Sequence, residues 1–420
     1  MNTATAVSGQ QALETARRLL DPEDVLAAVP GAGGASMGGG LAGTALLHAR
    51  LAATDSIFAV AATRHWAAAA VQAKRYGGGR GIFSSAGGLA ASLITGTGYL
   101  PDPGPQQAAA GRAAQWLSGR ALDLSSRHQA QLQTGDLATP WSVYDAISGL
   151  SGIGRVLLTA VISGHPLAEP GLLAALETLT TMIRTRHGNR PGWWLPADSH
   201  PQAVTMHPSG AATTGLAHGI AGPIALLSTA QAAGWSVAGQ AAAIKDAAQW
   251  LLHWRDNHTF SWPPYVTGDE LDRGTAGPAA GRRDAWCYGA PGIGRALSLA
   301  GLALTDQPLA EAGEAAIASL ADRSAELWDV DGPTLCHGNA GVLQCAAASP
   351  AVTRDRAAAA VTAMFDQQRA FAFRHLENNF ASDWPGLLTG AAGTALALAD
   401  HGDLAVPTVP ARWDSVLLLS

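Results

Sequence analysis

Residues 289–300 read GAPGIGRALSLA: a lead glycine, two further residues, a second glycine and an apolar run with helical periodicity. The same pattern of two small residues three apart before an apolar run occurs seven times in the chain. Successive lead glycines are 48 to 70 residues apart, which leaves room for one helix, a returning helix and a loop. Small residues three apart share one helix face and allow neighbouring helices to approach closely. The seven lead glycines are Gly40, Gly88, Gly149, Gly219, Gly289, Gly338 and Gly390.

The segments between the motifs, such as residues 170–187, mix an apolar face with charges, as an outer helical layer does. Alternating runs of Val, Ile and Thr are nearly absent, which argues against a major sheet. We therefore predict an all-α fold, an α/α toroid of seven inner and seven outer helices, with an open helical solenoid as the alternative. Residues 1–420 are expected to form a single domain, in which about the first 25 residues could form a flanking arm.

The composition argues against several classes of protein. The chain of 420 residues carries a net charge of -6, whereas nucleic-acid-binding proteins usually carry clustered Lys and Arg. The N-terminus lacks the basic start and apolar core of a secretory signal, and no apolar run reaches the roughly 18 residues of a membrane helix. We expect a cytoplasmic protein with no nucleic-acid partner and no transmembrane segment. Its three cysteines, an odd number without an export signal, do not indicate a disulfide framework.

Aligning the motifs on their lead glycines brings cysteines and histidines into equivalent positions. Cys287 and Cys336 lie two residues before their glycines, and His337 and His218 lie one residue before theirs. In a closed toroid, equivalent positions meet on the same rim of the central cavity. Two thiolates and one imidazole with an open fourth position suit a catalytic Zn²⁺, and a helix N-terminus favours the thiolate. We predict a zinc site here, with buried core cysteines and a satisfied histidine as the alternative.

Further candidates lie close to these positions in the sequence. Cys345 falls on the opposite helix face from the second ligand, within an apolar run, and is predicted to be a core residue. His218 is predicted to act as a general acid or base that Asp145 orients. Tyr288 follows the first ligand, and Arg283 precedes that ligand by four residues, where it could hold a carboxylate or steady an oxyanion. For each of these polar residues, the alternative is that it is an ordinary loop residue without a role in the chemistry.

Three long segments lead into glycine motifs and are rich in Gly, Pro, Asn and Trp. They cover roughly residues 184–213, 255–285 and 371–385. Because each is attached directly before a motif, we expect it to lie near the site, where it could recognise a substrate or serve as a structural lid.

Three motifs resemble those of the LanC-type lanthipeptide cyclases, the lanthionine synthetase C-like family. With the seven glycine repeats, the resemblance covers nearly the whole chain. The pairing of Trp-Cys-Tyr-Gly with Cys-His-Gly is highly specific, whereas a Gly-Leu-Ser-Gly alone would be weak. The motifs are RDAWCYGAPGIG at residues 283–294, CHGNAG at residues 336–341 and GLAHGI at residues 215–220.

The resemblance implies a zinc-dependent cyclase. The metal would bind a Cys thiolate of a precursor peptide, and this thiolate would add to dehydroalanine or dehydrobutyrine to form lanthionine or methyllanthionine. No redox cofactor or nucleotide would be needed. The residues carried over are Cys287, Cys336 and His337 as zinc ligands, His218 and Asp145 for proton transfer, and Arg283 in the pocket.

The implied partners are a dehydrated precursor peptide, made of leader and core, and an exporter. A separate dehydratase is also expected, because the chain has no room for a dehydratase or kinase domain. Three alternatives remain open: a LanC-like protein that binds glutathione or another thiol without cyclase activity, a zinc toroid enzyme that prenylates a peptide Cys, and a scaffold without catalysis. Prenyl-transferring enzymes usually pair an Asp with Cys and His ligands, whereas two cysteines occupy equivalent positions here.

Overall fold

Helices dominate the computed structural model, and none of the described helices is long and apolar enough to cross a bilayer. The chain divides into two compact units. Unit 1 comprises Met1–Trp116, Thr159–Leu167 and Ser324–Val416, and unit 2 comprises Leu117–Leu158, Ala168–Arg323 and Leu417–Ser420. The structure describes residues 3–79, 81–135, 138–201, 206–277, 284–323, 328, 332–349, 351–377 and 380–420.

Each glycine motif contributes to a helix that is buried along most of its length, and we call these the motif helices. They are α3 (Leu41–Leu51), α5 (Ser85–Gly96), α8 (Leu150–Ile162), α10 (Ala221–Ala232), α13 (Ala290–Leu304), α15 (Asn339–Cys345) and α17 (Ala391–His401). All residues of α3 are buried, as expected of a layer that packs on every side.

Companion helices bury one face and expose the other, as the mixed segments between the motifs predict. Within their units, α13 packs against α14, α3 against α4 and α15 against α16, while α1 packs against α17. The residues before the first motif therefore supply the companion of the last motif helix. The companion helices are α1 (Thr3–Arg18), α4 (Ser56–Tyr76), α6 (Gly104–Gln133), α9 (Glu169–Arg184), α11 (Gln240–His253), α14 (Gln307–Ala318) and α16 (Ala351–Ala363), with short helices α2 (Pro22–Ala28), α7 (Trp141–Tyr144) and α12 (Gly268–Arg273) beside them.

The three long segments before the glycine motifs contain short strands. Strands β3, β4 and β5 form one antiparallel sheet in that order, while β1 pairs with β2 and β6 pairs with β7. No larger sheet occurs in the described residues, as the sequence predicts. The strands are β1 (Arg186–His187), β2 (Arg190–Pro191), β3 (Trp194–Leu195), β4 (Ala211–Thr213), β5 (Tyr265–Thr267), β6 (His375–Glu377) and β7 (Phe380–Ser382).

We call the residues directly before each motif helix its motif loop. Backbone hydrogen bonds join neighbouring motif loops. In unit 1, the N–H of Cys336 donates to the carbonyl of Leu388, and the N–H of Leu388 donates to the carbonyl of Gly38, each at 2.9 Å. The N–H of Gly38 donates in turn to the carbonyl of Phe83 at 2.9 Å. The loops of the sixth, seventh, first and second motifs are thus linked in that order.

This order excludes the open solenoid. In an open array, each repeat contacts only its neighbours, so the first and last repeats lie at opposite ends. Here the loop of the last motif bonds to the loop of the first, and α17 packs against α3.

The loops of unit 2 are linked in the same way. The N–H of Ala146 donates to the carbonyl of Ala217 at 2.9 Å, and the N–H of Ala217 donates to the carbonyl of Cys287 at 3.1 Å. The loops of the third, fourth and fifth motifs therefore follow one another in chain order.

In the first, fourth, fifth and seventh motifs, the second glycine makes room for the chain's own motif loop as well as for a neighbouring element. A Cβ added at Gly292 would lie 2.1 Å from the carbonyl oxygen of Trp286, and one at Gly393 would lie 1.8 Å from that of Leu387. In both cases the carbonyl belongs to the residue six positions earlier. The loop folds back onto the first turn of its helix, a close approach that only glycine allows.

The predicted register of the second motif is wrong by four residues. Helix α5 begins at Ser85 with Ser84 as its N-cap, so Ser84 and not Gly88 occupies the lead position. The glycine that faces the carbonyl six residues earlier is Gly87, whose added Cβ would lie 2.2 Å from the oxygen of Gly81. The adjacent pair of glycines and the absence of a glycine at the lead position explain the error.

We predict that Gly292→Ala lowers the free energy of unfolding by about 1–3 kcal/mol, because the methyl group meets a backbone oxygen that cannot rotate away. The matched control is Gly119→Ala in α6, where an added Cβ meets nothing within 4 Å. That substitution should stabilise by up to about 1 kcal/mol through helix propensity. The measurement is the thermal unfolding midpoint by circular dichroism. A midpoint for Gly292→Ala at or above the wild-type value would contradict this account of the motif.

Candidate functional site

The predicted acid–base pair is formed in unit 2. Nδ1 of His218 lies 2.7 Å from Oδ2 of Asp145. The side chain of Asp145 is 1% exposed, whereas that of His218 is 30% exposed. Because a carboxylate only accepts hydrogen bonds, Nδ1 carries the proton of this bond. In the neutral ring, Nε2 then carries the lone pair and is the atom able to exchange a proton with a substrate.

The second oxygen of Asp145 holds the carboxylate in place. Oδ1 accepts the backbone N–H groups of Ile147, Ser148 and Gly149 at 3.1, 2.7 and 2.8 Å. These donors lie in the motif loop that leads into α8, where the N-terminus of a helix favours a negative charge. The carboxylate is therefore fixed by one oxygen and orients His218 with the other.

The backbone of His218 is held from the opposite side. The hydroxyl of Tyr144 donates to the carbonyl of His218 at 3.1 Å. Burial, followed by the charges of Asp145 and Tyr288, raises the pKa of Tyr144 well above its ordinary value. The hydroxyl thus keeps its proton and remains a donor. Tyr144 was not among the predicted site residues, although this tyrosine directly precedes Asp145 in the sequence.

Cys287 and Tyr288 lie against the loop that carries His218. The N–H groups of Leu216 and Ala217 both donate to the carbonyl of Cys287, at 2.9 and 3.1 Å. An added Cβ at Gly215 would lie 2.6 Å from that carbonyl and 2.7 Å from the ring of Tyr288. Glycine is therefore required there, and the structure brings the predicted residues Asp145, His218, Cys287 and Tyr288 together within unit 2.

A buried ion pair fixes the stretch before Cys287. Asp284, which is fully buried, pairs with the guanidinium of Arg323, which also donates to the backbone carbonyls of Thr259 and Phe260. Arg323 thereby holds the two ends of the long segment 255–285 together. The ion pair of Asp284 and Arg323 could not be predicted from the sequence, because nothing in the repeat pattern links these two residues. Arg283 lies outside the described residues.

The three predicted metal ligands have the donor chemistry of a zinc site. Cys287 is 1% exposed, and Cys336 and His337 are half-buried. Each cysteine lies just before a motif helix, where the helix dipole favours the thiolate. Two thiols and one imidazole are suited to hold a metal ion. Cys345 is buried at the end of α15, as predicted for a core residue.

The indole of Trp141 covers one face of the His218 imidazole. The two rings are nearly parallel, with centroids 4.5 Å apart and an interplanar angle of 13°. Trp141 is 8% exposed and begins α7 in the same unit. Trp141 could not be recognised from the sequence, because it lies eight residues before Gly149 and outside the positions that the motifs align.

Comparisons with known proteins agree with the fold and with the sequence resemblance. The nisin biosynthesis protein NisC of Lactococcus lactis subsp. lactis is 28% identical over 205 residues, which are 48% of this chain and 48% of that protein. The chain thus spans about half the length of this curated relative in the match. The solved structure of nisin cyclase matches 97% of both chains with a TM-score of 0.78 and 20% identity. Its fold is an α/α toroid, so the predicted fold class is confirmed.

The family model described as lanthionine synthetase C-like protein matches residues 32–418. This range includes all seven motif helices and every predicted site residue. The chain belongs to the lanthionine synthetase C-like family.

Proposed function

We propose that this protein is a zinc-dependent lanthipeptide cyclase. The observation that carries the proposal is the family match over residues 32–418, and the relatives named as nisin biosynthesis protein and nisin cyclase support it. The substrate is a precursor peptide in which Ser and Thr residues have been dehydrated. The product contains lanthionine or methyllanthionine thioether rings.

The reaction is an addition without a leaving group. The sulfur of a peptide Cys forms a bond to the β-carbon of dehydroalanine or dehydrobutyrine, and the electron pair of the double bond moves toward the α-carbon and its carbonyl. The thiol gives up one proton before the attack and the α-carbon takes up one afterwards, so the product has the same mass as the substrate. A site for this chemistry needs a thiolate at neutral pH and a positioned proton donor.

Cys287, Cys336 and His337 are the proposed zinc ligands, a set of three that leaves a fourth position for the substrate sulfur. When bound, zinc supplies the charge that lowers the pKa of the substrate thiol. The two cysteine ligands need to be thiolates themselves, and their placement before motif helices favours that state.

His218 is the proposed proton carrier. Its Nδ1 is held by Asp145, so a proton on Nε2 can be delivered to the α-carbon, or Nε2 can accept the thiol proton at an earlier stage. Arg283 is proposed to bind a substrate carboxylate or the developing oxyanion. Tyr288, which lies against the loop of His218, is proposed to contact the substrate beside the first zinc ligand.

The proposal also implies where the protein acts and with what. We propose that it works in the cytoplasm on the dehydrated leader and core peptide, beside a separate dehydratase and an exporter. Residues 184–213, 255–285 and 371–385 are the proposed substrate-recognition segments, because each leads directly into a motif loop.

We predict that the zinc-loaded protein consumes the free thiols of a dehydrated Cys-containing precursor at mildly acidic pH with no change in peptide mass. A free Cys with a pKa of about 8.5 is almost wholly protonated there, so the uncatalysed reaction fades. The measurement is a thiol-alkylation count by mass spectrometry, with a chelator-treated sample as control. A mass gain of one glutathione or prenyl unit favours the corresponding rival function. Equally fast thiol loss without protein at every pH would refute the cyclase proposal.

We predict that the purified protein holds about one zinc ion per chain, as one Cys2His site requires. Cys336→Ala and His337→Ala should each lose most of the metal while remaining folded by circular dichroism. Cys345→Ala is the matched control, because this buried cysteine lies in the core and should keep its metal. Zinc is counted by elemental analysis after dialysis. Unchanged metal content in Cys336→Ala, or an equal loss in Cys345→Ala, would show that the ligands are misassigned.

A further inference from the structure

The polar contacts of His218 do not by themselves define the plane of its ring. One hydrogen bond joins Nδ1 to Asp145, and the bond from Tyr144 reaches only the backbone carbonyl. A ring held by a single hydrogen bond can still tilt about that bond, which would displace Nε2. Something else must limit this tilt if Nε2 is to meet one carbon atom of a substrate.

Trp141 provides that limit. Its indole lies flat on the imidazole at 4.5 Å between centroids, the close spacing of an offset aromatic stack. A ring in this contact cannot tilt toward the indole without a steric clash, and tilting away would lose the contact and let water in. The stack and the Asp145 hydrogen bond act in different directions, so together they fix both the position and the plane of the imidazole.

Trp141 also packs against a second histidine, His200. The rings of His200 and Trp141 meet edge-on, with centroids 4.9 Å apart and an interplanar angle of 79°. The rings of His200 and Tyr265 also meet edge-on, with centroids 6.5 Å apart. Burial lowers the pKa of His200 to about 4, so this ring is neutral near pH 7 and adds no charge beside the pair of Asp145 and His218. Tyr265 belongs to β5, which pairs with β4. A series of ring contacts therefore joins the small sheet of the long segments to Trp141.

We propose that Trp141 is a positioning residue for the proton transfer performed by His218, and that the sheet of β3, β4 and β5 supports it through His200. This inference rests on the proposed function. Trp141 acts through the orientation of His218 and contributes no proton of its own. The order of contacts is Tyr265, His200, Trp141, His218 and Asp145.

The first test compares cyclisation by Trp141→Leu and Trp141→Phe. Loss of the flat surface should lower kcat about 10-fold to 100-fold with KM and zinc content near wild type, because misplacement of a reacting group carries penalties of this size. Trp141→Phe, which keeps a flat ring, should recover most of kcat. The control is Trp250→Leu, a buried tryptophan of unit 2 that packs edge-on against Trp193. It should lower thermal stability without lowering kcat. Equal kcat losses in Trp141→Leu and Trp250→Leu would overturn the proposal.

A double-mutant cycle tests whether Trp141 acts through His218. His218→Ala alone should slow cyclisation by about 10²–10⁴-fold while zinc is retained, as expected for the loss of a general acid or base. Adding Trp141→Leu to His218→Ala should then cost nothing further. Losses that multiply would mean that Trp141 affects the reaction by another route, and the positioning role would be rejected.

A readout independent of cyclisation separates this inference from the proposed function. In protein with ¹⁵N-labelled histidine, the His218 ring signals are identified by their absence in His218→Gln. The wild-type ring should give one narrow set of signals, whereas the freed tilt in Trp141→Leu should broaden them through exchange between ring orientations. Wild-type protein that does not cyclise but keeps this contrast would refute only the cyclase function. Equally narrow His218 ring signals in Trp141→Leu would refute the positioning role.

Discussion

The backbone hydrogen bonds between neighbouring motif loops are the constraint on which the rest of the structure depends. They run through the residue two positions before the lead glycine, where Cys336 bonds to Leu388 in unit 1 and Ala217 bonds to Cys287 in unit 2. In five of the motifs the loop also folds back onto its own helix, which leaves no space for a side chain at the second small position. The residue two positions before the lead glycine is held by its backbone, and this fixes where its side chain leaves the loop.

The acid–base pair shows how such a loop becomes a site. Asp145 uses one oxygen to complete the turn into α8 and the other to orient His218, so the same carboxylate has a structural and a chemical role. Tyr144 and Trp141 lie just before Asp145 and hold the backbone and the ring of His218. These supporting contacts are made by buried groups, which keeps water from competing for them. A site fixed in this way requires little rearrangement before proton transfer.

The repeat period made the helices and the fold class predictable, because equivalent positions in a repeat fold share one environment. The pairing of Asp145 with His218 does not follow from equivalent positions, since Asp145 lies four residues before its lead glycine and His218 one; the family resemblance implied it. The period could not reveal features that depend on contacts outside the motif. The stacking of Trp141, the clamp between Asp284 and Arg323, and the packing of α1 against α17 all join residues at unrelated positions. The second motif was placed four residues too late, because Ser84 replaces the lead glycine there. The catalytic roles and the zinc ligation remain predictions, and Arg283 lies outside the described residues.

The proposed mechanism requires that the cysteine of a substrate peptide occupy the open position of a metal held by Cys287, Cys336 and His337. Cobalt(II) in place of zinc makes this visible, because each thiolate bound to cobalt adds a ligand-to-metal charge-transfer band. The most direct measurement is a titration of the cobalt protein with a precursor peptide that has Cys but has not been dehydrated, so that binding occurs without ring closure. If the substrate sulfur binds the metal, the intensity of this band should rise to saturation with the Cys peptide. It should not rise with the same peptide carrying Ser in place of Cys. An unchanged spectrum at a concentration that saturates peptide binding would contradict the proposed mechanism.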